Sequence, residues 1–413
     1  MPINTHISEQ YQDLFTKISA PVQYGYAAPE SLNTVYEGQI ATRCGCNDAA
    51  SIGNYFWDQA TVHQAMSTVY GIRPMFANFY VTTATGDTVT NLGKMEVYGT
   101  IEYPNNVFTQ ITFEGGKKVG DVPIGGISDT DMIPVYIPKG EWFRLKIHGH
   151  NAGAIPVAST LFIPVAGFGA TLLDGITYAV GTDVADKTSL ANATYATNIL
   201  VNKPFLITAI TDQPSLAITG DSIAHGQYDT EDATHRTGHM ERACTVGYTN
   251  LARMGETVLS ANTAGRYASR KLAAPYITHV DTNYGTNDIT ANRTGAAIVA
   301  LINTWYAANF PGKPFCVNTL TPRSTGTWDN LTGQTLIAQD AELSNLNDLI
   351  LAGKTITAQT SVLDVHNIIA NTYSENYWKF FGAGKAITND GVHPNPKGYQ
   401  YIASKIDINK VLI

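Results

Sequence analysis

The chain reads as two parts with different architectures: an antiparallel β-sandwich of jelly-roll type over residues 66–212, then an α/β unit built on a parallel sheet over 213–413. Three observations predict this. The 413 residues exceed what one ordinary core organises. Hydrophobicity alternates with period two from about Tyr70 to Ile210. After Asp212 that pattern gives way to short apolar runs separated by helical ones. Residues 1–65 carry neither pattern and are expected to form an N-terminal arm, partly helical or irregular.

In the first part, Met95-Glu96-Val97-Tyr98-Gly99-Thr100-Ile101-Glu102-Tyr103 places its apolar positions on one face. Phe143, Leu145 and Ile147 likewise alternate with Arg144, Lys146 and His148, the pattern of half-buried antiparallel strands. Turn signals separate them at Pro104-Asn105-Asn106, Gly115-Gly116 and Pro138-Lys139-Gly140. In the second part, strands are expected at Leu216–Thr219, Tyr248–Ala252, Tyr276–Asn283, Phe315–Leu320 and Ser361–Val365. Helices are expected at Thr263–Ala273, Ala291–Ala308 and Gln334–Leu351, with a last one after Pro396. Such alternation buries a parallel sheet between helical layers, and chemistry then collects at the carboxyl ends of the strands.

Composition removes several functional classes. Charged residues make up 15% and the formal net charge is −8, with no basic tract, which argues against nucleic-acid binding. The start, MPINTHISEQYQDLF, has no basic segment followed by an apolar core, so no secretory signal is visible. The uncharged stretch Asn151–Leu173 is interrupted by Pro156, Pro164 and several glycines, and reads as strands and turns rather than a membrane span. Cys44 and Cys46 lack a second closely spaced pair, so neither a disulfide scaffold nor a metal site is expected. A surface rich in Thr, Asn, Gly and Tyr suits extracellular or virion proteins and carbohydrate contacts. A homo-oligomer is compatible with the sequence.

Three short segments carry chemistry. The first α/β strand runs into Gly220-Asp221-Ser222, which places a serine where a strand meets a helix N-terminus, next to free backbone N–H groups. The third ends in Gly285-Thr286-Asn287-Asp288, where an Asn amide can donate to a developing oxyanion or simply cap the next helix. Near the C-terminus, Asp390 and His393 lie three residues apart in a Gly- and Pro-rich loop. A serine hydroxyl needs an imidazole to take its proton, and the imidazole needs an acceptor that fixes its tautomer. Each segment alone is an ordinary turn; together they fall where one parallel sheet exposes its strand ends.

In these blocks residues 214–413 resemble the SGNH hydrolase superfamily, the GDSL-type esterases and lipases. The Ser block is Gly220-Asp221-Ser222, and the Gly block resembles Asn250-Leu251-Ala252-Arg253-Met254-Gly255-Glu256-Thr257. The Asn block is Gly285-Thr286-Asn287-Asp288, and the His block is Asp390-Gly391-Val392-His393-Pro394. The resemblance implies a flavodoxin-like three-layer domain and an acyl-transfer mechanism without metal or cofactor. Ser222 is then the nucleophile, His393 the base and Asp390 its orienting acid. The N–H of Ser222, the N–H of Gly255 and the Asn287 side chain would form the oxyanion hole.

His225, and the segment holding His235, Arg236 and His239, follow the nucleophile closely enough to line a substrate pocket. His235 and His239 also have helical i,i+4 spacing. Asp364 and His366 form a second acid–imidazole pair, expected on a strand and read as structural. The expected activity is removal of O-acetyl or other short acyl groups, with an acetylated glycan as substrate, as in a phage tail-associated deacetylase. A general short-chain esterase or thioesterase stays open, as does a non-catalytic glycan-binding or structural virion module.

Overall fold

The computed structural model describes residues 35–50, 55–82, 86–157, 175–180, 202–230, 235–353, 355–372 and 375–413. Its centre is a six-stranded, fully parallel sheet. The strands are β1 (Cys44–Gly45), β2 (Ser215–Thr219), β3 (Gly247–Asn250), β4 (His279–Thr282), β5 (Phe315–Asn318) and β6 (Gln359–Leu363), in the spatial order β1-β3-β2-β4-β5-β6. The period-two alternation of β2 assigns its residues to the two faces. Ala217 packs with Val280, Ile298, Ile302 and Trp305 on one side, whereas Leu216 and Ile218 pack with Met240, Tyr248 and Ile402 on the other.

The flanking helices are α1 (Ser222–His225), α2 (Gly238–Ala243), α3 (Val258–Ala261), α4 (Thr286–Thr290), α5 (Gly295–Asn309), α6 (Asp340–Ala352), α7 (Val365–Ile369) and α8 (Pro396–Ala403). Local chemistry moved several expected boundaries. α5 starts at Gly295 rather than Ala291, because Asn292 is left-handed and the Thr294 hydroxyl caps Ala297 N–H. Residues Gln334–Leu336 pair with Ser324–Gly326 as a hairpin instead of opening α6. The helix expected over 263–273 is replaced by the short α3 and a 3₁₀ turn at Arg270–Tyr276, with Gly265 left-handed between them. That 3₁₀ turn also shortens the strand expected to begin at Tyr276.

The N-terminal half contains two larger antiparallel sheets beside two short two-stranded ones. One has the order Tyr36–Gln39, Pro204–Thr211, Val69–Phe76, Ile133–Ile137. The other runs Gly120–Val122, Met95–Glu102, Trp142–Asn151, Tyr55–Gln64, Gly175–Val180, with Phe108–Gln110 paired to Met95–Glu102. Ile72, Phe76 and Ile207 from the first share one apolar cluster with Trp57, Val97, Phe143 and Leu145 from the second.

Two expectations need correction here. Where it is described, the arm over 1–65 is mainly strand rather than helix or irregular chain, and it enters four sheets, supplying β1 to the parallel one. Gln39 shows why: its amide donates to Ala41 and Tyr248 carbonyls and accepts from Ile207 N–H, stitching the segment to both halves. The parallel sheet therefore draws a strand from outside 213–413.

Second, Trp142–Asn151 is not half-buried. Arg144, Lys146 and His148, expected outward, are as buried as their apolar neighbours, with Glu102 accepting from Arg144 and Asp58 bonded to His148. Of the uncharged stretch 151–173, residues 158–173 lie outside the described residues, and Pro156–Val157 pairs as a strand with Ala49–Ala50. Among the described residues no helix is long and apolar enough to cross a membrane.

Candidate active site

The carboxyl edge of the parallel sheet brings Ser222, His393 and Asp390 together. Ser222 opens α1 directly after β2. Gly220 turns the chain at φ 132°, and a Cβ there would stand 1.8 Å from Asn283 Oδ1, so only glycine fits. Asp221 caps the helix by accepting from Ile223 N–H at 2.9 Å. Asn283, at the end of β4, grips Asp221 from both sides: its Nδ2 donates to Asp221 Oδ1 at 2.9 Å and its Oδ1 accepts Asp221 N–H at 3.1 Å. The serine is thereby held in a fixed turn and is only 4% exposed.

His393 Nε2 lies 2.7 Å from Ser222 Oγ, and its Nδ1 lies 2.7 Å from Asp390 Oδ2. A carboxylate only accepts, so Nδ1 carries the proton and Nε2 is left to accept from the serine hydroxyl. Burial would raise the Asp390 pKa. The hydrogen bonds from the His393 ring, from His393 N–H and from Val392 N–H outweigh it and hold the carboxyl down at about 2. The loop is pinned as well as charged. Thr388 Oγ1 donates to the His393 carbonyl, and Gly391 is left-handed with its carbonyl accepting from Ser324 N–H and Trp378 Nε1.

Gly255 lies at φ 72° in a turn closed by Glu256 N–H donating to Arg253 carbonyl, and Arg253 N–H donates to Gly220 carbonyl, tying this loop to the serine turn. Asn287 Nδ2 donates to the Glu256 carbonyl at 3.1 Å, which fixes the amide and leaves its second N–H. The N–H groups of Ser222 and Gly255 meet no acceptor among the described residues.

Beneath this loop is a buried ionic knot that the sequence did not announce. Arg270, fully buried, donates to both Glu256 oxygens at 2.7 Å and to Asp87 Oδ1 at 2.6 Å, and its guanidinium lies 4.0 Å from the Tyr267 ring centroid. Tyr284 Oη donates to Glu256 at 2.6 Å. Burial opposes the Arg270 charge, but Glu256 and Asp87 hold its pKa well above the ordinary value.

The four suggested pocket residues separate. His225 is in α1, with Nε2 3.8 Å from Asp48 beside Arg253; burial lowers its pKa to about 4, so it is neutral. His235 is left-handed, outside any helix, and packs edge-on to Trp142, so the i,i+4 helical pairing does not exist. Arg236 is buried and donates to the Cys244 carbonyl at 2.6 Å and to Gln64 at 3.0 Å, bridging the two halves. His239 is buried and stacked on Tyr399, its pKa lowered to about 4 by burial. Asp364 caps α7 instead of lying on a strand, and His366 Nδ1 bonds the Leu320 carbonyl, 3.1 Å away. Among the described residues no three His, Cys, Asp or Glu side chains group as metal ligands.

No family model and no curated protein matches the chain. Among solved structures it is similar to a member of the lipolytic protein G-D-S-L family from Veillonella parvula, with 19% identity over 47% of this chain and 96% of that one, at a TM-score of 0.35. It is also similar to a carbohydrate acetylesterase from Sinorhizobium meliloti, with 15% identity over 46% of this chain and 95% of that one, at a TM-score of 0.30. A third likeness spans both halves: a salicylyl-acyltransferase from a tetracycline biosynthetic pathway, 11% identical over 85% of this chain and 79% of that one, at a TM-score of 0.32. The solved structures that this chain is similar to thus include G-D-S-L lipolytic and carbohydrate acetylesterase proteins.

Proposed function

We propose that the protein is a serine esterase that removes O-acetyl groups from a carbohydrate through an acyl-Ser222 intermediate. The observation that carries this reading is the unbroken chain of 2.7 Å contacts from Ser222 Oγ through His393 to Asp390, next to two N–H groups without acceptors. Ser222 Oγ attacks the ester carbonyl while His393 Nε2 takes its proton, and the ionised Asp390 stabilises the imidazolium. The N–H groups of Ser222 and Gly255 and the amide of Asn287 receive the oxyanion. Collapse expels the alcohol, which takes the proton from His393. Water then attacks the acyl-serine by the same route and releases acetate. The carbohydrate preference is supported by the hydroxyl-rich composition and by a similar structure that is a carbohydrate acetylesterase.

Acetate release from acetylated xylan by the purified protein and by Ser222→Ala tests the reading. Release that disappears in the variant supports it. Ser222-dependent cleavage of aryl esters without acetate from any glycan points to a general short-chain esterase. A protein inert on both is a binding module.

A further inference from the structure

One side chain at the site belongs neither to its proton path nor to its oxyanion loops. Tyr228 is 57% exposed, the most exposed aromatic among the described residues, and its ring meets the His393 ring edge-on, with centroids 5.1 Å apart and planes at 86°. Its backbone is left-handed at φ 65°, a conformation that a bulky side chain rarely adopts and that persists only where the surroundings impose it. Here they do. On one side Gln227 N–H donates to Ser222 carbonyl, and Tyr399 Oη donates to Gln227 carbonyl. On the other, Asp229 accepts from Gly238 N–H and from Arg242 through two nitrogens. The chain is forced through an unfavourable turn, and the outcome is a large ring standing in solvent beside the catalytic imidazole.

The chemistry of the reaction says which part of a substrate meets that ring. His393 Nε2 delivers its proton to the leaving oxygen, so groups in contact with His393 lie on the alcohol side of the scissile ester rather than the acyl side. An isolated aromatic is no lipid-binding surface, which would need a contiguous apolar patch. It does suit a ring whose face is made of polarised C–H bonds, because the π-face of tyrosine is electron-rich.

We propose that Tyr228 is the platform on which the sugar ring carrying the acetyl ester stacks during catalysis. This rests on the glycan-ester reading above. The strained turn is then maintained because it aims the platform, not because it stabilises the fold.

Two measurements on the 413-residue chain test this. First, binding of xylotriose to Ser222→Ala is compared with the same variant carrying Tyr228→Asn or Tyr228→Phe. Loss of the ring should weaken binding by up to about tenfold, and phenylalanine should restore it. Asparagine tolerates the left-handed turn, so the thermal midpoint of Tyr228→Asn should not fall below that of its parent. Second, on acetylated xylo-oligosaccharides Tyr228→Asn in the otherwise native protein should raise KM more than it lowers kcat. The proposal is overturned if Ser222→Ala binds no xylotriose, if phenylalanine fails to restore binding, or if kcat falls with KM unchanged, which would make Tyr228 a support for His393. The binding arm does not depend on turnover. Failure of acetate release with binding intact would therefore count against the esterase reading and not against the platform.

Discussion

Replacing Arg270 by methionine should destabilise the protein severely and disable it for the same reason. Arg270 is fully buried and is the cation between Glu256 and Asp87, with contacts of 2.6 to 2.7 Å. A methionine of similar length keeps most of the packing against Tyr267 but leaves two carboxylates in a water-poor interior. Removing one partner of a buried ion pair costs about 3–5 kcal/mol. At roughly 2–4 °C per kcal/mol, the thermal midpoint should fall by about 6–20 °C. Glu256 also supplies the carbonyl that holds Asn287, so kcat should fall below the level expected from the folded fraction alone. Calorimetric or dichroism-monitored melting, followed by ester hydrolysis well below the midpoint, reads both effects. A loss under about 1 kcal/mol, the scale of an exposed pair, would refute the reasoning.

Two further outcomes follow from the site. Burial raises the Asp221 carboxyl to about 6, above the roughly 3.9 of an unfolded Asp. Its contribution to stability is thus fully present below about pH 4 and is lost as pH rises through about 6, by on the order of 3 kcal/mol. Asp221→Asn, which keeps an acceptor for Ile223 N–H, should therefore flatten the fall in stability between pH 4 and 6 measured by urea denaturation; an unchanged profile would contradict the shift. Asn287→Ala should lower kcat by about 10²–10³ with a smaller change in KM, because the amide acts on charge that exists only in the transition state. A change confined to KM would remove Asn287 from the oxyanion hole.

Much of the site was legible because the chemistry is local in sequence. Gly220-Asp221-Ser222 and Asp390-Gly391-Val392-His393 each form one turn, and the strand preceding Ser222 shows openly as the short apolar run Leu216-Ala217-Ile218. What was not legible depends on contacts between distant segments. Asn283 reads as a strand-end residue, and only the fold shows that it clamps Asp221, 62 positions away. Asp87 and Arg270 are 183 apart. The short strand Cys44–Gly45 has no periodicity to read, yet it extends the parallel sheet. Arg236 looked available because its segment follows the nucleophile closely, but its two terminal nitrogens donate to the Cys244 carbonyl and to Gln64. Alternation also misled in Trp142–Asn151, where Glu102 and Asp58 make burial of the polar face tolerable. Tyr228 carried a weak signal, since nothing in Gly226-Gln227-Tyr228-Asp229 marks the tyrosine as left-handed.

The central claim is that Ser222 is the nucleophile and His393 its base, and covalent labelling tests it most directly. The native protein treated with a fluorophosphonate should gain one adduct, located by peptide mass spectrometry on Ser222. That adduct should be absent from Ser222→Ala and form far more slowly in His393→Ala, with p-nitrophenyl acetate hydrolysis lost in parallel. An adduct on another residue, or hydrolysis that survives Ser222→Ala, would contradict the account.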